Sequence, residues 1–369
     1  MSQINTNAIL DASGGTTATV NGFTPSVSNM AGRNRIINGD MRIDQRNAGA
    51  SVAMSTGNFL PVDRFKSFAH TGSGHTAQQS TDVPAGAGFD YSTKLTVGTG
   101  GAPISTDLNI FYQPIEGFNV ADMMFGSANA KTVTVSFWVK SSLTGNFGVG
   151  IQNSDVSRGY PGQYNIASAN TWEFKTVTIA GDITGTWLKN NGIGMYLSFD
   201  LGSGSSYEGT LNTWGGGNLK RTSSQVKLIA TSGATMYITG VQLEEGSVAT
   251  PFEHRQYGQE LALCQRYYEK TYDQSVVAGT ANDKGAFFTS RIDSVGGGGT
   301  AFKVTKRATP TVIVYSPTSG SSGQARNYSA SSDYAASAQS IGESGFYLLV
   351  GLASTNSGLG IQYTASAEL

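Results

Sequence analysis

The sequence predicts an all-β protein made of an antiparallel β-sandwich, a short connector helix and a small C-terminal β domain. Glycine supplies 48 of the 369 residues and charged residues supply only 13%, about half of their usual share. Short apolar segments with a two-residue period recur between glycine-rich turns, which is the pattern of antiparallel strands. A helical period appears after Pro251. The predicted fold class follows from these three observations.

The chain exceeds the length of one average domain, so we divide it into four segments. They are an N-terminal arm at residues 1–35, the sandwich at 36–254, the connector helix at 255–270 and the C-terminal β domain at 271–369. The arm is rich in Asn, Thr, Gly and Ser. Ordering it alone would cost backbone entropy with little apolar burial in return. We expect the arm either to be flexible or to be completed by a partner protein.

Two segments of the sandwich show the clearest strand pattern. In Thr132–Val139 the apolar residues share one face, and Trp138 points to the other. In Ile193–Phe199 the apolar residues again share one face, and Tyr196 lies on the other. Side chains alternate between the two faces of a strand, so each segment predicts one buried and one outer face. Shorter strands are predicted at Lys175–Ala180 and Val226–Ala230.

The strand that closes the sandwich changes its pattern at a glycine. Met236 and Ile238 have one parity, whereas Val241 and Leu243 have the other, with Gly240 between them. One interpretation is a β-bulge, in which an extra residue re-aims the apolar face. The alternative is a strand that is buried on both faces.

The connector helix is predicted from four residues after Pro251, namely Tyr257, Leu261, Cys264 and Tyr268. Their spacing places them on one helical stripe. Because a helix this short is marginal without tertiary packing, the stripe must pack against something. It packs either on the sandwich of the same chain or against other copies around a threefold axis. Cys264, the only cysteine, is expected to act as a small apolar residue.

The C-terminal β domain is predicted from five apolar segments separated by loops rich in glycine, serine and alanine. About 95 residues hold only a small core, so we expect this domain to be stabilised by self-association or by docking on the sandwich. The predicted strands are Gly285–Ile292, Ala301–Thr305, Thr311–Tyr315, Gly345–Leu352 and Gly360–Tyr363.

Sequence motifs cluster at the two ends of the sandwich: Arg35–Arg46 and Val62–Phe65 at the start, and Ile238–Gly246, Ala249–Arg255 and Cys264–Lys270 at the end. Together they resemble a module that recurs in structural proteins of tailed bacteriophages and prophages, chiefly tail-fibre-like ones. The resemblance implies a virion surface protein whose body is a carbohydrate-binding jelly roll, which makes the predicted sandwich jelly-roll-like. Assembly in the reducing host cytoplasm is expected, and a chain with one cysteine fits that compartment.

The resemblance also implies partners. Fibres commonly have threefold symmetry, so a homotrimer is expected. The arm at residues 1–35 would attach to another virion protein, and exposed β surfaces would contact a glycan of the host surface. Binding of nucleic acid is not expected, because the net charge is -1 and the pI is about 6.3. Membrane insertion is not expected, since no apolar run approaches the ~20 residues of a membrane helix.

No cofactor and no metal site is predicted from the residues themselves. The only histidines, His70, His75 and His254, have no cysteine or second histidine at ligand spacing. The resemblance implies that a structural calcium ion is possible, since Asn38–Asp40 resembles the opening motif of sugar-binding jelly rolls that often hold this ion. Gly240, however, stands where those relatives often place an acidic residue.

The sequence does not predict an enzyme. It contains no Gly-x-Ser-x-Gly motif for nucleophilic catalysis. Glycan hydrolysis requires two carboxylates about 5–10 Å apart, and Glu244 and Glu245 are interpreted as a turn dipeptide whose side chains point apart into solvent. A polysaccharide depolymerase is kept as one alternative function.

Carbohydrate binding is the sharper hypothesis. Aromatic faces stack on the apolar faces of sugar rings, while neighbouring polar groups bond the hydroxyls. Trp138 and Tyr196 fit this role, because each lies opposite the apolar set of its strand. The alternative is that a loop or a neighbouring subunit covers this face. The other tryptophans, Trp172, Trp187 and Trp214, are interpreted as packing residues.

The predicted function is that of a non-catalytic structural protein of the phage particle, a tail fibre or tail-associated receptor-binding protein that contacts host glycan. A capsid decoration or head fibre protein, whose role is attachment to the shell, is the other alternative.

Overall fold

The computed structural model describes residues 32–54, 56–57, 59–291, 298–351 and 357–369. Of the predicted N-terminal arm, residues 1–31 lie outside the described residues, and Asn34 and Arg35 bond to the closing strand of the sandwich. The strands of the described part form antiparallel sheets. The predicted all-β, jelly-roll-like fold class is confirmed.

The sandwich consists of two sheets around one apolar core. Its strands are β1 (Val52–Ala53), β2 (Phe59–Val62), β3 (Phe65–Ala69), β4 (Thr76–Ser80), β5 (Ser92–Thr96), β6 (Asn109–Glu116), β7 (Val133–Ser141), β8 (Gly145–Gln152), β9 (Arg158–Ile166), β10 (Glu173–Ile179), β11 (Ile193–Asp200), β12 (Gly215–Gly216) and β13 (Thr235–Glu245). The first sheet has the order β1-β4-β5-β13-β7-β10 and the second β12-β9-β8-β11-β6-β3-β2. The chain therefore crosses repeatedly between the two sheets.

The core lies where the apolar faces of the two sheets meet. The strand patterns predicted around Trp138 and Tyr196 are confirmed by β7 and β11, whose valine, leucine and phenylalanine side chains point inward and are fully buried. The rings of Phe137 and Phe199 meet edge to face across the core, with centroids 4.9 Å apart. Burying one such side chain stabilises the fold by about 1.5–3 kcal/mol. The same alternation leaves Trp138 and Tyr196 on outer faces.

One strand prediction in the sandwich is wrong. Within Val226–Ala230 the chain forms a short 3-10 helix at Leu228–Ala230, in which Leu228 and Ile229 are buried. A short apolar run predicts burial but does not by itself distinguish a strand from a helical turn. Within the ranges that the structure describes, three further 3-10 helices lie between strands, at Gly117–Asn119, Ala121–Met123 and Ser205–Tyr207.

The connector helix is shorter than predicted. Helix α1 spans Tyr257–Gln265, and the chain then forms strand β14 at Tyr268–Lys270. Tyr268 is thus not on the helix, because its strand pairs with the C-terminal segment opposite Ser366. The four predicted residues do not share one helical stripe: Tyr257 is exposed, Leu261 is half-buried and Cys264 is buried.

Helix α1 packs on its own chain. Cys264 belongs to a small buried cluster with Ile37 and Ile43 from the start of the sandwich and with Tyr267. Burial raises the pKa of the Cys264 thiol well above its usual value, so the group stays protonated and apolar.

The C-terminal domain is a sheet organised around its last strand. Its strands are β15 (Phe287–Arg291), β16 (Gly299–Ala301), β17 (Thr311–Tyr315), β18 (Gln324–Asn327), β19 (Ser332–Gln339), β20 (Gly345–Val350) and β21 (Ser357–Ser366). Strand β21 pairs with β14, β15, β17 and β18. The strand predicted at Ala301–Thr305 ends at Ala301. The amides of Lys303 and Val304 donate instead to the carboxylate of Glu269, at 3.0–3.3 Å.

The C-terminal domain docks on the sandwich through buried charges. The carboxylate of Glu368 pairs with Arg46 at 3.0 Å and with Arg64. The guanidinium carbon of Arg64 lies 3.5 Å from the ring centroid of Tyr267, and that of Arg46 lies 3.7 Å from the ring of Tyr268. Docking on the sandwich, one of the two predicted ways of supporting this domain, is therefore present in the structure.

The stability of the fold should depend measurably on pH through Asp63, which lies at this contact. Burial raises the pKa of its carboxyl to about 6, although Arg46 and Gln45 oppose the shift. A raised folded-state pKa means that the contribution of Asp63 to stability is complete below its unfolded pKa of ~3.9 and is lost as the pH rises through about 6. Asp63→Asn removes this titration, so its stability relative to the natural protein should increase between pH 4 and 7. Urea unfolding of both proteins across this range measures the difference, and a constant difference contradicts the prediction.

Candidate functional site

An aromatic pair stands on the outer face of the first sheet. Trp138 on β7 is directly opposite Phe174 on β10, with ring centroids 5.5 Å apart. Phe174 is 47% exposed and Trp138 is half-buried. Apolar aromatic rings in this position contribute little to the core, because the inward residues of both strands already fill it. The pair therefore forms a surface available for contact with a ligand.

Beside this pair lies a groove of about 320 Å³. Its floor is the outer face of β7, β10 and β13, and its walls are the loop that follows β4 and the segment that follows β13. We call it the aromatic groove. It is lined by Ala87, Phe89, Ser136, Trp138, Phe174, Gly240, Thr250, Pro251, Phe252 and His254.

The walls of the aromatic groove are themselves aromatic. The ring of Phe89 packs edge to face on Phe252, with centroids 5.2 Å apart, and lies 5.4 Å from the ring of His254. Phe252 and His254 are in turn 4.9 Å apart. Three rings from two distant segments thus support one another, which fixes the shape of the wall.

The predicted β-bulge at Gly240 is confirmed and forms part of the groove floor. Thr239 pairs with Trp138 and Gln242 pairs with Ser136, so β13 has one more residue than β7 in this interval. Gly240 has a φ of +61°, and a Cβ there would lie 2.6 Å from the ring of Phe89. Only glycine meets both requirements without strain. The bulge therefore lets Phe89 close over the strand.

Gly240→Ala is expected to lower the free energy of unfolding by about 2–3 kcal/mol, since it adds a clash with Phe89 to the strain of a left-handed backbone. Gly233→Ala is the matched control. Gly233 also has a positive φ, of +74°, but has open space around it. Its replacement should cost only about 1–2 kcal/mol. Thermal and urea unfolding measure both variants, and equal losses would show that the contact with Phe89 is unimportant.

The interpretation of Glu244 and Glu245 as a solvated turn is wrong. Both belong to β13, and Glu244 is buried. Its carboxylate accepts hydrogen bonds from the amide and hydroxyl of Thr250, at 2.8 and 2.6 Å, and from the side chain of Gln242 at 2.8 Å. Glu245 pairs with Lys131 at 2.8 Å. The long-range register with β7 overrides the local turn composition, and Glu244 holds Thr250 in the groove wall.

A second set of side chains continues the same outer face. It consists of Trp172, Lys140, Tyr237, Lys94 and Asp82, and we call it the Trp172 row. Tyr237 on β13 lies opposite Lys140 on β7 and Lys94 on β5. The Lys140 ammonium is 4.3 Å from the ring centroid of Tyr237 and 5.5 Å from that of Trp172. The indole of Trp172 donates to Asp82 at 3.0 Å, and Asp82 also pairs with Lys140.

Trp172 packs, as interpreted from the sequence, but on the outer face of the sheet rather than in the core, with its ring centroid 6.2 Å from that of Tyr237. The sequence carried a signal for this position, since Trp172 lies two residues before Phe174 and shares its parity. Trp187 and Trp214 do pack, each edge to face on Phe125.

The structure does not bring Trp138 and Tyr196 together. Tyr196 is on β11 of the second sheet, where it is half-buried on the opposite outer face of the sandwich. Its ring centroid is 6.1 Å from that of Tyr112, and burial raises the pKa of its hydroxyl. The two predicted sugar-binding residues therefore cannot contribute to one site, and Trp138 is the one beside a groove.

The residues that resemble a calcium motif do not fit that ion. The side chain of Asn38 is fully used in bonds with Ile43 and with the carbonyl of Asp63. One oxygen of Asp40 is buried without a hydrogen bond, but this carboxylate pairs with Arg42 at 2.9 Å. Nearby, Glu260 pairs with Arg255 at 3.2 Å. In the described ranges, no group of three or more His, Cys, Asp or Glu residues is arranged to hold a metal ion.

Comparison with known proteins gives distant likenesses. No protein-family model matches the chain, and no curated protein matches it. Among solved structures, an enzymatically active domain of tailspike protein 4 from bacteriophage CBA120 is 15% identical, with a TM-score of 0.30. The match covers 58% of this chain and 21% of that one, so this chain spans about a fifth of the tailspike domain.

Two carbohydrate-binding modules are similar over most of their own length. One is TmCBM61 in complex with β-1,4-galactotriose, which is 10% identical with a TM-score of 0.29 over 58% of this chain and 99% of that one. The other is a family 11 module from Clostridium thermocellum in complex with a mixed-linked tetrasaccharide, 10% identical with a TM-score of 0.28 over 54% and 98%. In the described part of this chain, no helix combines the length and apolarity that a bilayer crossing requires.

Proposed function

We propose that this chain is a non-catalytic glycan-binding protein displayed on the surface of a tailed-phage particle. The observation that carries the glycan-binding part is the aromatic groove, where the exposed Phe174 and the half-buried Trp138 lie beside polar side chains on the outer face of the sheet. These two rings do not belong to the core, and their position in the groove allows them to contact a ligand.

The chemistry of the groove suits a sugar. A pyranose ring has an apolar face that stacks on an aromatic ring, and a rim of hydroxyls that form hydrogen bonds. Trp138 and Phe174 supply the stacking surface, while the side chains of Ser136 and His254 supply hydrogen-bonding groups in the same groove. Its volume of about 320 Å³ is at the lower end of ligand pockets, which suits one or two sugar units with the rest of the glycan lying along the sheet.

We propose that the groove binds the glycan and does not cleave it. Glycosidases of the usual type place two carboxylates on either side of the scissile bond, one of them free to donate a proton. The acidic side chain directly behind the groove wall is Glu244, and its carboxylate is buried and accepts three hydrogen bonds. It is engaged in positioning Thr250 and is not exposed toward a ligand.

The virion location rests on the sequence resemblance at both ends of the sandwich. In this proposal the arm at residues 1–35 attaches the chain to another virion protein, copies assemble as a trimer, and the first sheet faces host glycan. Immunogold labelling of particles that encode this chain tests the location. Label on tail fibres supports the proposal, whereas label spread over the capsid would replace the fibre with a decoration protein.

A glycan array probed with the purified full chain tests the binding function. We expect retention of a restricted set of glycans, and no new reducing ends when those glycans are incubated with the protein. Retention of no glycan would overturn glycan binding. Release of reducing ends would show an enzyme instead.

A further inference from the structure

The Trp172 row adjoins the aromatic groove on the same face of the sheet. Trp138 and Lys140 are two residues apart on β7, and Trp172 lies two residues before Phe174, immediately ahead of β10. Strand geometry puts such neighbours about 7 Å apart. A glycan stacked on Trp138 and Phe174 therefore reaches Lys140 and Trp172 with its next unit.

The charges of this row do not cancel. Lys140 pairs with Asp82. Burial alone would raise the pKa of Asp82, but hydrogen bonds from Lys140 and Trp172 lower it, so its negative charge is retained. Lys94, on the other side of Tyr237, forms no ion pair among the described residues, and its ammonium lies 5.7 Å from the centroid of that ring. The row thus carries a net positive charge, with the ammonium of Lys94 beside the ring of Tyr237.

We propose that the Trp172 row is a second subsite, which selects an acidic sugar in the glycan held by the aromatic groove. This inference rests on the proposed glycan-binding function. The rings of Trp172 and Tyr237 would contact the apolar face of the sugar, and Lys94 would bond its carboxylate or sulfate. The Lys140 and Asp82 pair holds Trp172 in place. A charged hydrogen bond of this kind is stronger than a neutral one, and it weakens as salt is added.

The test uses an array that displays each oligosaccharide in a neutral form and in a carboxylated or sulfated form. The natural protein is expected to retain the acidic forms about tenfold more tightly than their neutral counterparts. Lys94→Gln should remove most of this preference without changing affinity for the neutral forms. Lys94→Arg keeps the charge and should preserve the preference for acidic forms. The preference should also fall as sodium chloride is raised from about 50 to about 500 mM, because the screening length then shortens to about 4 Å.

Each other outcome overturns the subsite. Equal retention of neutral and acidic forms, or a preference that Lys94→Gln leaves unchanged, rules out selection by this residue while glycan binding by the groove still stands. A loss on neutral and acidic forms alike would show that Lys94 does not read the charge. Retention of no glycan in either form overturns the proposed function together with the subsite.

Discussion

Arg64→Ala is expected to lower the free energy of unfolding by about 3–5 kcal/mol, because it leaves the buried carboxylate of Glu368 without one of its two arginine partners. Arg64 is 1% exposed and lies in the turn between β2 and β3. Its guanidinium also donates to the carbonyl of Pro114 at 2.8 Å and packs on the ring of Tyr267. One side chain thus joins the sandwich, the end of α1 and the C-terminus.

The loss should appear first in the C-terminal domain. Urea unfolding gives the change in free energy, and limited proteolysis should cleave after residue 270 earlier in Arg64→Ala than in the natural protein. Arg35→Ala is the control, because its partner Asp122 has a half-exposed side chain and an ion pair at the surface contributes only about 0–1 kcal/mol. If both variants lose the same amount, the buried pair does not hold the two bodies together.

The parts of the fold that follow from local pattern were predictable. The alternation of apolar residues in β7 and β11 determines which side chains face the core, and the same alternation predicts that Trp138 lies on an outer face. The parity change at Gly240 indicated the bulge correctly, since a one-residue insertion leaves a direct trace in a period of two. These features depend on residues within one strand, so the sequence records them locally.

The parts that failed depend on partners far along the chain. Tyr268 has helical spacing from Cys264, but pairing with Ser366, almost a hundred residues later, draws it into a strand. Glu244 has turn composition, but the register with β7 buries it. The aromatic groove itself combines Phe89 with Phe252 and His254, and no period links these positions. Only the crossing of strands between sheets brings them together.

The largest effect on ligand binding is expected for Trp138→Ala, which should weaken glycan binding about 30-fold or more. Aromatic side chains at the centre of a binding surface are typical hot spots, whose truncation costs about 2 kcal/mol or more. The stability of the variant should stay within about 1 kcal/mol of the natural protein, since Trp138 contacts Phe174 on the surface and takes no part in the core. Titration calorimetry with a glycan retained on the array measures the first quantity, and thermal unfolding measures the second.

Tyr196→Ala is the control that distinguishes specific glycan binding in the aromatic groove from non-specific binding to aromatic residues on the surface. Tyr196 is an aromatic residue on a strand of the same sandwich and is also half-buried, but it lies on the opposite outer face. Its replacement should leave glycan affinity unchanged, whereas Phe174→Ala, beside Trp138, should reduce it. Equal losses for Trp138→Ala and Tyr196→Ala would contradict binding in the aromatic groove. A large loss of stability in Trp138→Ala with unchanged binding would assign this side chain to packing, because a ligand that stacks on the indole must lose affinity when the indole is removed.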